Sequence, residues 1–152
     1  MNSLQAALRT YFGFPDFRPG QAEAIRYLLA GHHSLVVMPT GSGKSLIYQL
    51  ASLMLADHSR QPTTLVISPL IALMKDQVDS LTSRNIPAAY INSTLSLSEQ
   101  NYRLQQLAEG AYRLVYIAPE RLRNTSFLDA LRRHPPALLA VDEAHCISEW
   151  GH

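Results

Sequence analysis

Apolar residues follow two patterns along this chain. Short unbroken runs rich in Leu, Val and Ile stand at residues 34–38, 63–68, 87–92, 113–118 and 137–141. Between them lie longer stretches in which apolar residues recur at helical spacing. Short apolar runs bounded by turn residues predict strands buried on both faces, and alternation with single helices is typical of parallel sheets. The pattern therefore predicts an α/β fold with a mainly parallel central sheet covered by helices in three layers.

Start and stop signals support these helices. Asn2 or Ser3 can cap the first one, which Gly13 ends, and Ser96 with Glu99 forms a capping box for a helix closed by Gly110. The predicted helices begin near Ser3, Gly20, Lys44, Pro69, Ser96 and Thr125.

Ligands of parallel sheets bind beyond the carboxyl ends of the strands. The predicted strands place five polar segments at that edge: Pro39–Ser45, Ser68–Pro69, Asn92–Ser93, Ala118–Arg121 and Asp142–Glu143.

The first of these segments indicates a phosphate-binding loop. MPTGSGKS at residues 38–45 fits GxxxxGK[ST] except at its first position, where Met38 replaces Gly. Backbone amides of such a loop and the following helix N-terminus bind phosphates, Lys44 would contact the β and γ phosphates, and Ser45 would bind magnesium. The alternative is a merely flexible turn. The residues predicted to bind the nucleotide here are Thr40, Gly41, Ser42, Gly43, Lys44 and Ser45.

The last segment supplies carboxylates. Asp142 follows an apolar run and can bind the magnesium ion, and Glu143 can orient and deprotonate water. Taken alone, an acidic pair after a strand is more often a helix cap or a solvated turn. A zinc site of His145, Cys146 and His152 is disfavoured, because their spacing matches no structural zinc pattern.

A third group precedes the phosphate loop. Gln21 would ordinarily be a solvated residue at a helix start. Phe14, Phe17 and Arg18 lie just upstream, and an aromatic face, a guanidinium and an amide together suit an adenine base.

Composition sets broad limits. With 152 residues, 47% apolar, the chain can form one compact domain, and a net charge of +1 says nothing about partners. Cys146 is the single cysteine and no apolar segment is long enough to span a membrane, so we expect a cytoplasmic protein.

Five segments of the chain resemble, in order, the N-terminal RecA-like lobe of bacterial RecQ DNA helicases. They are FGFPDFRPGQ, MPTGSGKS, SPLIALMKDQV, YIAPERL and DEAHCISEWGH. The resemblance covers nearly the whole chain, and Met38 is ordinary in that family.

The resemblance implies roles for individual residues. Gln21 would read adenine with Arg18 and a stacked Phe14, where Tyr is usual. ATP and magnesium would bind Lys44, Ser45 and Asp142, with Glu143 as the catalytic base and His145 coupling the site to DNA. Partners would be single-stranded and partly duplex DNA, contacted by Lys75, Asn92, Ser93, Arg121, Trp150 and His152.

The resemblance also implies that residues 1–152 are a partial lobe, incomplete at the C-terminus and ending in the aromatic-rich loop of the family. A second lobe would be needed for unwinding, so we expect a helicase fragment that binds ATP and carries part of a DNA track. Two alternatives stay open. One is a P-loop ATPase without a nucleic-acid role, and the other is an inert nucleotide-binding module.

Overall fold

The computed structural model describes residues 3–30, 43–55 and 62–141. The chain divides into two compact units, residues 1–56 and 57–152. The described α-helices and strands lie where the apolar pattern predicts them.

The first unit contains three described helices: α1 (Ser3–Phe12), α2 (Gln21–Leu29) and α3 (Lys44–Met54). Both α1 and α2 pack against α3. Leu8, Ile25 and Leu50 are fully buried, as their helical spacing predicts. Gly13 ends α1 with a positive φ of 75°. The predicted strand at residues 34–38 lies outside the described residues.

The second unit alternates strands and helices. Its elements are β1 (Thr64–Ile67), α4 (Ile71–Ser83), β2 (Ala88–Ile91), α5 (Leu97–Ala108), β3 (Leu114–Ile117), a 3-10 helix (Pro119–Arg123), α6 (Thr125–Arg133) and β4 (Leu138–Val141). Each of the four strands lies where the apolar runs predict one.

These strands form a parallel sheet in the order β2-β3-β1-β4. The chain crosses the sheet in one direction between β1 and β2, and in the other direction between β2 and β3 and between β3 and β4. Because parallel crossovers are right-handed, we infer that α4 covers one face and that α5 and α6 share the other. The predicted parallel, helix-covered sheet is confirmed.

The core under α5 and α6 explains their apolar spacing. Side chains of β1, β2 and β3 meet Leu107 of α5 and Phe127 of α6, both fully buried. The members of this cluster are Leu65, Ile67, Ile91, Leu104, Leu107, Val115, Ile117, Phe127 and Ala130.

Two features differ from the sequence-based expectation. The 3-10 helix Pro119–Arg123 was not predicted, because its five residues are too few to show a helical period. β4 was expected to be buried on both faces, but Leu139 and Val141 are 58% and 38% exposed. β4 is the last strand at its edge of the described sheet, with β1 as its paired neighbour.

One of the two hydrogen bonds of the predicted capping box, the one accepted by Ser96, is confirmed. Ser96 is the N-cap of α5, and its Oγ accepts a hydrogen bond from the Glu99 N–H at 3.2 Å. The Glu99 carboxylate accepts from Arg103 Nε at 2.9 Å, one turn further along α5.

Arg103 also covers the open edge of the sheet. β2 is an edge strand of the described sheet. The carbonyl of Pro87, the residue before β2, faces β3, where it accepts from the Arg113 N–H. Carbonyls alternate sides along a strand, so the Tyr90 carbonyl points outward. It accepts a hydrogen bond from Arg103 Nη1 at 2.7 Å, and the guanidinium lies over the Tyr90 ring, 4.7 Å from its centre. Arg103 therefore occupies an edge that could otherwise pair with another chain.

We expect Arg103→Ala to lower the free energy of unfolding by about 1 to 2 kcal/mol, since it removes a charged hydrogen-bond donor from a carbonyl. It should also cause self-association that rises with protein concentration, measured by sedimentation velocity. Arg132→Ala is the control, because Arg132 pairs with Asp129 on exposed α6 and removes the same charge. An Arg103→Ala protein as stable and monomeric as Arg132→Ala would refute this role.

Candidate nucleotide and nucleic-acid site

A hydrogen bond connects Gln21 with Gly43 in the candidate nucleotide site, and we call this connection the joint. Gln21 is the first residue of α2 and is 2% exposed. Its Nε2 donates to the Gly43 carbonyl at 2.9 Å, and its Oε1 accepts from the Arg18 N–H at 2.8 Å. The prediction that Gln21 begins a helix is confirmed, but the residue is buried rather than solvated. One amide group thus ties the loop before α2 to the end of the predicted phosphate loop.

The geometry of this joint requires glycine at position 43. Gly43 has φ 79°, a left-handed conformation that other residues rarely adopt. A Cβ there would lie 2.6 Å from Gln21 Nε2. It would also lie 3.7 Å from Arg18 Cδ and 3.7 Å from Arg18 Nη1. The structure therefore brings together Arg18, Gln21 and Gly43, three of the residues predicted to bind the nucleotide.

The start of α3 offers donors to an anion. Gly43 is the N-cap of α3 and has no side chain that could accept from the first-turn amides. The first turn also carries no acidic residue. Uncapped amides and the positive end of a helix dipole suit phosphate oxygens, and the half-buried Ser45 belongs to this turn. The donor set thus fits a nucleotide phosphate and its magnesium ion. Thr40, Gly41, Ser42 and the Lys44 side chain lie outside what the structure describes.

Unlike the buried Gln21, Phe14 is exposed to solvent. It lies in the loop between α1 and α2 and is 48% exposed. Arg18, in the same loop, is also exposed. An exposed ring at this place is compatible with a base-stacking role, which stays a prediction.

Three of the residues predicted to contact DNA share a cleft at the carboxyl edge of the second unit. Asn92 and Ser93 follow β2, and Arg121 belongs to the 3-10 helix after β3. The cleft has a volume of about 300 Å³. Ser93 is exposed and Arg121 is half-buried, whereas the Asn92 side chain is 3% exposed. The geometry thus favours Ser93 and Arg121 for direct contact and gives Asn92 a supporting position.

The sequence did not single out two further residues of this cleft, Ile71 and Asn124. Asn124 is the N-cap of α6, and its Oδ1 accepts from the Phe127 N–H at 2.8 Å. An Asn before a helical run is a recognisable cap signal, but only the fold shows that this cap borders a cleft.

Lys75 lies elsewhere. Its Nζ forms an exposed ion pair with Asp79 at 2.6 Å on α4. The hydrogen bond that Lys75 donates to Asp79, together with the negative charge of Asp79, raises the pKa of Lys75. Lys75 lines a separate groove along β2 with Tyr90 and Arg103, not the cleft that holds Ser93 and Arg121. Its predicted DNA contact stays a prediction.

The remaining site residues lie outside the described residues: Asp142, Glu143, His145, Trp150 and His152. β4 ends at Val141, which is paired with Ile67 at the carboxyl edge of the sheet. Within the described ranges, no group of three or more His, Cys, Asp or Glu side chains is placed to bind a metal ion.

Comparison with known proteins decides the family. The DEAD/DEAH box helicase model matches residues 18–152. The chain belongs to the DEAD/DEAH box helicase family. Within this family it is 52% identical to the ATP-dependent DNA helicase RecQ of Bacillus subtilis over 100% of the chain. It is 46% identical to RecQ of Pasteurella multocida over 95% of the chain. The resemblance to the N-terminal lobe of bacterial RecQ helicases is confirmed.

The chain spans only about a quarter of these helicase relatives: 25% of the Bacillus protein and 22% of the Pasteurella protein. A solved structure, a hypothetical ATP-dependent RNA helicase from Sulfolobus tokodaii, shares the fold. The TM-score is 0.71 at 22% identity, covering 99% of this chain and 44% of that one. This likeness confirms the RecA-like α/β fold.

No described helix has the length and apolar character that a membrane crossing requires.

Proposed function

We propose that this chain is the nucleotide-binding lobe of an ATP-dependent DNA helicase of the RecQ type, and that it needs further chain to unwind DNA. The observation that carries this proposal is the joint between Gln21 and Gly43 at the start of α3. It connects a residue suited to a base with the residue that precedes Lys44, so one buried amide can link base recognition to the phosphate loop.

In this proposal, different residues of the lobe bind the phosphates, activate water and hold magnesium. The α3 amides and Lys44 bind and orient the phosphates, and Glu143 holds and deprotonates the attacking water. Ser45 and Asp142 would hold magnesium, which would neutralise charge on the phosphates. His145 couples this site to bound DNA.

The proposed DNA track runs over the carboxyl edge of the second unit. Ser93 and Arg121 would contact the backbone of a single strand or of partly duplex DNA, and Trp150 and His152 would extend the track. Contacts of Arg and Ser to phosphate position a strand without reading its sequence. Lys75 would join the track only by leaving Asp79.

Base selection gives a prediction. Within the described residues, Gln21 uses one donor and one acceptor in the joint, and an amide has a second of each that could bind the edge of adenine. We expect Gln21→Ala in the full-length protein to weaken ATP binding about tenfold more than GTP binding. A difference of about tenfold corresponds to the loss of one to two hydrogen bonds. Competition binding measures both affinities.

Gln5→Ala is the matched control, because Gln5 makes an exposed hydrogen bond to Asp16 in the same unit. Equal losses for ATP and GTP would show that Gln21 only holds Gly43 in place and reads no base.

A further inference from the structure

Asn92 is a buried polar residue at the mouth of the DNA-facing cleft. It directly follows β2, and its side chain is 3% exposed. Its Oδ1 accepts from the Thr94 N–H at 2.9 Å and also from the Thr94 hydroxyl. Its Nδ2 lies 3.5 Å from Met74 Sδ of α4. Both ends of the amide thus serve the fold, and this pattern is an Asx turn over residues 92–94.

Backbone carbonyls of the same turn also accept hydrogen bonds. The Leu95 N–H donates to the Asn92 carbonyl at 3.3 Å. The Leu95 carbonyl accepts from Gln100 Nε2 at 2.9 Å, and Gln100 belongs to α5. The turn is therefore fixed to α4 through Met74 and to α5 through Gln100. Ser93, in its middle, is left exposed in the cleft.

The cleft is lined by charges of both signs, so phosphate binding there depends on the positions of neutral hydrogen-bond donors. Arg121 and Glu120 both line it, so the lining carries one cation and one carboxylate. A phosphate gains little from net charge there, and its binding depends on where neutral donors lie. The Ser93 hydroxyl is an exposed neutral donor of the described lining, and Asn124 is held at the α6 cap, where its Oδ1 accepts from the Phe127 N–H.

We propose that Asn92 is a positioning residue: it holds Ser93 opposite Arg121 so that the pair binds one phosphate of a single strand. Asn92 itself touches no DNA. This inference rests on the proposed helicase function, because it concerns the DNA track of that function.

The test compares affinities for an oligothymidine strand in the full-length protein by fluorescence anisotropy. Ser93→Ala and Asn92→Ala should each weaken binding about five- to tenfold, the loss of one hydrogen bond to a charged group. The double variant should bind no more weakly than Ser93→Ala alone, because Asn92 acts through Ser93.

A second variant covers the case in which Asn92→Ala lowers the melting temperature too far for binding to be measured. Thr94→Val removes one donor to Asn92 from an exposed residue and keeps its shape. It should weaken DNA binding in the same direction, and again not beyond Ser93→Ala when the two are combined.

Additive losses in the double variant, or unchanged affinity in both Asn92→Ala and Thr94→Val, would overturn the positioning role. Failure of the proposed function looks different. In that case Arg121→Ala and Ser93→Ala would also leave DNA affinity unchanged, whereas a failed positioning role leaves those two losses intact.

Discussion

Replacing Lys44 by alanine should reduce ATP hydrolysis by the full-length protein at least about 100-fold, as expected when a preorganised charge is removed from a reacting phosphate. Lys44 is the first residue of α3, at the end of the phosphate loop. Because its charge is predicted to act on the phosphates and not on the fold, the melting temperature without nucleotide should change little.

Arg132→Ala is the control for loss of a surface cation, since Arg132 is exposed and pairs with Asp129 on α6. It should hydrolyse ATP normally. If Lys44→Ala instead lowers the melting temperature strongly without nucleotide, Lys44 supports the fold and its assignment to the phosphates is wrong.

Gly43→Ala should have the second large effect. The substitution forces alanine to a φ of 79° and brings its Cβ to 2.6 Å from Gln21 Nε2. The left-handed conformation alone costs about 1 to 2 kcal/mol of stability. The clash must also displace Gln21 or the phosphate loop, so ATP affinity should fall by more than about tenfold, equal to about 1.4 kcal/mol. Melting temperature and ATP titration measure the two effects.

Gly13→Ala is the control that separates the effect of backbone strain from the effect of the steric clash with Gln21. Gly13 has a similar φ of 75°, and a Cβ there would meet no atom within 4 Å. It should lose similar stability and keep its ATP affinity. If Gly43→Ala binds ATP as well as Gly13→Ala does, the joint with Gln21 does not shape the nucleotide site.

Much of the fold could be predicted from the sequence because its signals are local. The apolar runs of β1 and β3 are nearly continuous, with Thr64 at the start of β1, and both strands are fully buried. Ser96 marks the start of α5 by its own hydrogen bond to the Glu99 N–H. Pro135 and Pro136 follow α6 within three residues of its last residue, Arg133.

The parts that the sequence left open depend on tertiary contacts. Gln21 is polar at a helix start, and only its packing against Gly43 shows that it is buried and bonded. Asn92 and Ser93 are adjacent polar residues, yet the first faces Met74 and the second faces the cleft. Lys75 resembles a DNA contact by sequence, but Asp79 one turn later engages it. Nothing in local propensity separates these cases.

The most direct test of the helicase assignment is ATP hydrolysis by the full-length protein with magnesium, with and without single-stranded DNA. The proposal predicts stimulation by DNA on the order of tenfold or more, a typical coupling between two sites, and its loss in Lys44→Ala. Hydrolysis that is the same with and without DNA would contradict a helicase and indicate a P-loop ATPase with no nucleic-acid role. Binding of ATP with magnesium but no hydrolysis, with or without DNA, would indicate an inert nucleotide-binding module.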